Sequence, residues 1–125
     1  MKQYSRKSLH GKLDKLVGEY FRARPCDYHK SGGCAGRIEW CHIKSRKYLS
    51  VRWLPINAFS LCSGRHFYFT NNPDEFTRWI DMNYPGRLEE LQKLFITNVG
   101  TLKSWWFEAL FERLKQELSQ LPGAE

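Results

Sequence analysis

A cysteine–histidine step, a basic run, an asparagine and a second cysteine–histidine group follow one another in WCHIKSRKYLSVRWLPINAFSLCSGRH, residues 40–66. Two further cysteines, Cys26 and Cys34, lie just upstream. This pattern constrains the fold more than any hydrophobic periodicity. Side chains that share a ligand must meet in space, so the chain has to turn back on itself several times within a short span. At 125 residues the protein is expected to be one small domain, near the size at which a metal or a partner supplies needed stability.

Zn²⁺ takes four Cys or His ligands tetrahedrally, commonly from a knuckle and the start of a helix. Cys26 and Cys34 flank the Gly-rich CDYHKSGGCAG, and Cys62 precedes a helical pattern. The usual fourth ligand would stand at position 65, which is Arg65 and cannot ligate zinc. Three residues compete for that corner. His29 makes the compact knuckle Cys26-x2-His29-x4-Cys34 and is preferred. Cys41 is next, and His66, one place beyond the expected position, is third. The alternative without metal treats the cysteines as small buried apolar groups.

Charge separates the two halves of the chain. Residues 1–66 carry 14 Lys or Arg against four Asp or Glu, whereas residues 67–125 carry six against nine. The basic half is also the half with the cysteines and histidines, so the expected partner is a polyanion, with nucleic acid the commonest. The start MKQYSRKSLHGKLDKL is polar and basic, without an apolar leader. The expected setting is therefore a reducing cytoplasm, with thiols free. No apolar run approaches the roughly 20 residues needed to span a bilayer, so no membrane role is expected.

Leu9, Leu13, Leu16, Val17, Tyr20 and Phe21 recur at helical spacing, which predicts an N-terminal helix over 8–24, stopped by Pro25. RIEWCHI alternates as a strand would, KSRKYLSVRW reads as a loop, PINAFSL as a second strand or extended turn, and a short helix opens at Ser63. Asn72-Asn-Pro-Asp-Glu is a helix start, RLEELQKLF a further helix, and Leu102, Trp105, Trp106, Leu110, Phe111, Leu114 and Leu118 form a broad stripe on a last one. The divisions are thus a helix over 8–24, a core over 25–71 and a helical extension over 72–121. The broad stripe predicts a homodimer through the C-terminal half. Trp79, Trp105 and Trp106 are read as core or interface rather than as base-stacking groups.

The order His42, Asn57, His66 fits strand, loop, strand and helix. A ββα-metal nuclease needs a strand histidine to deprotonate water, an asparagine to hold the hairpin and a helix residue to bind the catalytic cation. Neutral imidazole suits the first task because its pKa lies near working pH. Together with Cys26-x7-Cys34, the step His42-Ile-Lys-Ser-Arg46, Asn57 followed by Ser60-Leu61-Cys62, and His66, the chain resembles the HNH endonuclease superfamily. Within that superfamily it more closely resembles the small phage-borne proteins of the NinG (Rap) recombination-nuclease type and the related YbcO-like group. The resemblance spans residues 9 to about 80.

That resemblance implies an α+β, zinc-braced ββα-metal core and Mg²⁺- or Mn²⁺-dependent hydrolysis of phosphodiesters, often in branched or recombining DNA, by a phage protein in the bacterial cytoplasm. It implies His42 as general base, Asn57 as the hairpin-fixing residue, His66 as ligand of the catalytic cation, and Cys26, Cys34 and Cys62 as zinc ligands. Cys41 stands where many relatives have an aspartate ligand for that cation, which shifts the expectation toward Mn²⁺, Ni²⁺ or Zn²⁺. Lys44, Arg46, Lys47 and Arg52 are expected on phosphates, and Arg65 as a clamp on the scissile one. The rival readings are a zinc-finger DNA-binding module without catalysis and a recombinase-accessory protein.

Overall fold

The computed structural model describes residues 5–28, 34–95 and 102–121. Among them the chain is α+β, with five helices and one two-stranded antiparallel sheet. Helix α1 covers Arg6–Arg22 and starts at Ser5, whose side chain accepts the Ser8 N–H at 3.1 Å. The first strand, β1, is Ile38–His42 and pairs with β2, Ala58–Cys62, so that Ile38 faces Cys62 and His42 faces Ala58. Between them runs a long loop closed by a 3₁₀ turn at Pro55–Asn57. Helices α2 (Ser63–Asn71), α3 (Pro73–Asn83), α4 (Arg87–Leu94) and α5 (Ser104–Gln120) complete the chain. The element order near the sheet is therefore strand, strand, helix.

Strand alternation sorts the side chains into two cores. On one face of the sheet, Trp40 and Ala58 pack with Leu9, Leu13, Trp53, Phe107 and Leu114 between α1 and α5. On the other, Cys41, Phe59 and Leu61 pack with Phe69 and Ile80 from α2 and α3, a cluster that Cys62 joins from the end of β2. All five residues of β2 are buried, since it lies between both layers. Its outer side is taken by Asp27, whose N–H donates to Ser60 O at 2.6 Å and whose Oδ2 accepts the Ser60 N–H at 2.7 Å. Beyond β2, no backbone of the described residues pairs along the length of β1, which leaves it as the free edge.

One expectation narrows here. The α5 residues turned inward are Phe107, Leu110, Leu114 and Leu118, whereas Trp105 is 67 % exposed. Positions 107, 110, 114 and 118 recur every three or four residues, and 105 falls about 200° away on the helical wheel. Within the chain, α1 covers the side of the stripe that carries Phe107, Leu110, Leu114 and Leu118.

Candidate metal centre and strand-end histidine

The Sγ atoms of Cys26, Cys34 and Cys62 all lie within 4.8 Å of one another. Among the described residues this is the one group of three or more Cys, His, Asp or Glu donors so disposed. Three pieces of backbone build it. Pro25 ends α1, and the Asp27–Ser60 pairing then sets Cys26 against the end of β2. Cys62 closes β2 and caps α2, its Sγ accepting the Arg65 N–H at 3.4 Å, while its own N–H donates to Cys26 Sγ at 3.3 Å. Cys34 is tied to the start of α2 through Ala35, whose carbonyl accepts from Gly64 N–H at 2.9 Å and Ser63 Oγ at 3.1 Å.

None of the four cysteines forms a disulfide. Loss of solvation and the adjoining Cys26 and Cys62 thiols push Cys34 up to about 12. Burial would also raise Cys62, but the hydrogen bonds from the Ala35 and Arg65 backbone and the two other thiols outweigh it, and its pKa falls below the ordinary value. Three sulfurs and N–H···S bonds to two of them suit a soft, tetrahedral ion. Sulfurs around zinc sit about 3.8 Å apart when each bond is about 2.3 Å, so this cluster closes on the ion with small movements. These three cysteines can hold a metal ion such as zinc.

Among the described residues no fourth Cys, His, Asp or Glu joins this cluster. His29 lies outside them. Cys41 is corrected as a candidate: it faces Phe59 in the ladder, three steps from the Ile38–Cys62 pair, or about 10 Å at the rise of a strand. Its thiol contacts the His42 carbonyl at 3.9 Å and is raised to about 12 by burial and by Glu39. Arg65 stands over the Tyr28 ring, its guanidinium carbon 3.8 Å from the centroid. His66 directs Nδ1 to Glu39 Oε1 at 2.8 Å.

At the other end of β1, His42 is fixed by a 2.9 Å contact from Nε2 to the Arg52 carbonyl and by the Trp40 ring, 4.4 Å away between centroids. A carbonyl only accepts, so Nε2 carries the proton and Nδ1 holds the lone pair. Nδ1 has no hydrogen-bond partner among the described residues. Burial lowers the His42 pKa to about 4; the bond to Arg52 opposes the shift, and the Arg46 and Arg52 charges add to it. The ring is neutral at pH 7.

Asn57 is fully buried and spans the loop. Its Oδ1 accepts the Lys44 N–H at 2.7 Å, and Nδ2 donates to the carbonyls of Lys44 and Val51, each at 3.1 Å. The Asn57 amide is thereby tied to Lys44 and Val51 within the loop.

The structure joins His42 and Asn57 through this loop but gives His66 a different partner. Glu39 and Cys41 alternate with Trp40 and His42 along β1, so the Glu39–His66 pair and the His42 ring belong to opposite faces of the strand. Cys41, where an acidic ligand was expected, is only 2 % exposed, and Glu39 is the carboxylate that reaches the helix histidine.

Of the cations expected on phosphate, Arg46 and Lys47 stand exposed at the loop, whereas Lys44 is partly buried, reaching Gln92 Oε1 at 3.1 Å and lying over Phe95. Arg52 is occupied internally: its Nε and Nη2 donate to the two oxygens of Asp14 at 3.2 and 2.7 Å. Asp14 also accepts from Trp53 Nε1 at 2.7 Å and approaches Arg46 at 3.5 Å. Sequence reasoning missed Asp14, Glu39 and Asp27. Their scarcity was the available signal, because residues 1–66 hold only four acids.

No family model matches the chain, and no curated protein or solved structure matches it significantly.

Proposed function

We propose that the chain is a metal-dependent endonuclease acting on DNA, built on an HNH-type ββα-metal core. The observation that carries this reading is His42, a neutral imidazole whose Nε2–H is tied to the Arg52 carbonyl and whose Nδ1 lone pair is unengaged. In that role Nδ1 takes the proton of a water as it attacks phosphorus, and Trp40 and Arg52 hold the ring in place. Asn57 keeps the loop that carries Arg52 at a fixed distance from the strand end.

A phosphodiester laid along the free edge of β1 would have His42 on one flank and the Glu39–His66 pair on the other. That pair offers one carboxylate and one imidazole, a donor set that fits a divalent cation retaining several waters, such as Mg²⁺ or Mn²⁺. When bound, such an ion neutralises the phosphate and stabilises the departing oxygen. Arg46 and Lys47 grip the flanking backbone. The three-thiol centre braces the fold around this edge.

The second reading is a zinc-braced DNA-binding module without catalysis, favoured by the separate partners of His42 and His66. Nicking of supercoiled and branched DNA in Mg²⁺, Mn²⁺ or Ni²⁺ distinguishes the two. His42→Ala is expected to lower the nicking rate by about 10²- to 10⁴-fold while leaving DNA binding intact. Binding without nicking by the wild type in every metal would assign the module.

A further inference from the structure

Beyond β2 from the histidine edge lies a cavity of about 250 Å³, lined among others by Tyr20, Arg24, Asp27, Phe59, Tyr84 and Arg87. Arg87 is partly buried there, its guanidinium carbon 4.7 Å from the ring centroids of both Phe59 and Tyr84. Its one hydrogen bond goes from Nη1 to the Ala58 carbonyl at 3.5 Å. Among the described residues no carboxylate oxygen comes within 4.0 Å of it, although nine other Lys or Arg ion pairs meet that limit. Arg87 is half-buried and feels the Asp27 charge only from beyond ion-pair distance, so its guanidinium keeps the capacity to take an anion.

The rest of the lining agrees. Arg24 brings a second guanidinium, and Asp27, the only acid lining the cavity, faces Arg24 at 3.7 Å and the Ser60 N–H at 2.7 Å. These three charges sum to +1. Burial, then the Asp27 charge, raises the Tyr84 phenol, which stays a neutral donor. A guanidinium fork matches the oxygens of a phosphate, and the half-buried Tyr84 beside it adds a phenol donor, with the buried Phe59 ring forming the floor below Arg87. The volume lies just below the roughly 300–1,000 Å³ of pockets for larger ligands, so it suits one phosphate with little more than one ring system.

We propose that this cavity binds a phosphomonoester, carried either by a free nucleoside monophosphate or by the end of a DNA strand. The site is separate from the histidine edge and stands whether or not that edge hydrolyses DNA.

The test titrates the full chain, loaded with zinc, with inorganic phosphate, AMP, adenosine, and a short single strand with and without a 5′-phosphate, by calorimetry and by NMR. Phosphate and AMP are expected to bind at low millimolar concentration or better and to shift the Tyr84 and Phe59 ring signals, whereas adenosine does neither. Arg87→Gln is expected to weaken AMP binding by about tenfold or more, the loss of a charge-assisted contact, with circular dichroism and zinc content unchanged. His42→Ala should leave the affinity as it is. Tighter binding of the phosphorylated strand than of AMP identifies a DNA end as the source, and the reverse identifies the free nucleotide. The proposal is overturned if AMP fails to bind the wild type, if it binds without moving the Tyr84 and Phe59 signals, if adenosine binds equally well, or if affinity follows His42. Because the ring shifts are read on the wild type, the test does not depend on how Arg87→Gln folds.

Discussion

At the scale of single residues, His42 shows how a fold tunes a base. In water a histidine takes up a proton near pH 6.5, whereas burial beside Trp40 and the Arg46 and Arg52 charges lowers this one to about 4. Its folded value thus lies below its unfolded value. Its contribution to stability is complete above pH 6.5, is lost progressively as the pH falls from there toward 4, and changes no further below that. The same shift keeps Nδ1 able to accept a proton down to mildly acid conditions, so nicking should show no acid limb from this group between pH 7 and 5.5. An NMR titration of the His42 ring with a midpoint near 6.5 would contradict both statements. The residue type and its strand position were legible in the sequence. Its tautomer was not, because that depends on the Arg52 carbonyl, ten residues away in the chain.

Among elements, the link from Cys34 to β1 is the most tightly specified. Gly36 has φ +84°, in the left-handed region that favours glycine, and a Cβ there would overlap Ser63 Oγ at the start of α2. The same short segment sets Cys34 beside Cys62. Gly36→Ala is therefore expected to destabilise the protein by about 1–3 kcal/mol and to speed metal loss, read as a lower midpoint in denaturant and faster zinc release to a chelator. An unchanged release rate would mean that the thiol cluster does not depend on this turn. The centre of the turn-rich knuckle expected between Cys26 and Cys34 lies outside the described residues. The reading of α1 held from its apolar spacing and Pro25, and the structure adds Ser5 as its cap. The α5 stripe was read too broadly, because apolar spacing does not say which tryptophan faces the core. Leaning on α1 through Phe107 turned Trp105 outward.

For the whole molecule, the uneven charge is a statement about association rather than fold. If DNA lies along the free edge of β1, the exposed Arg46 and Lys47 release counterions on binding, and replacing both with Ala should reduce the slope of log affinity against log salt by about 2. Fluorescence anisotropy at several salt concentrations measures it. A slope that does not move would place the DNA elsewhere. Arg52 is expected to matter through stability instead, since Asp14 holds it inside. The sequence by itself determined the helices, the strand–strand–helix order and which three cysteines could share an ion. These follow from spacing, and spacing is local. Only the tertiary structure decided that Cys41 is remote from the thiol cluster, that Glu39 meets His66, that α1 covers α5, and that Arg87 lines a cavity in which no carboxylate comes within 4.0 Å of it. Each depends on which faces of distant segments come together, and that is set by packing two cores against one buried strand, which no single stretch of the chain encodes.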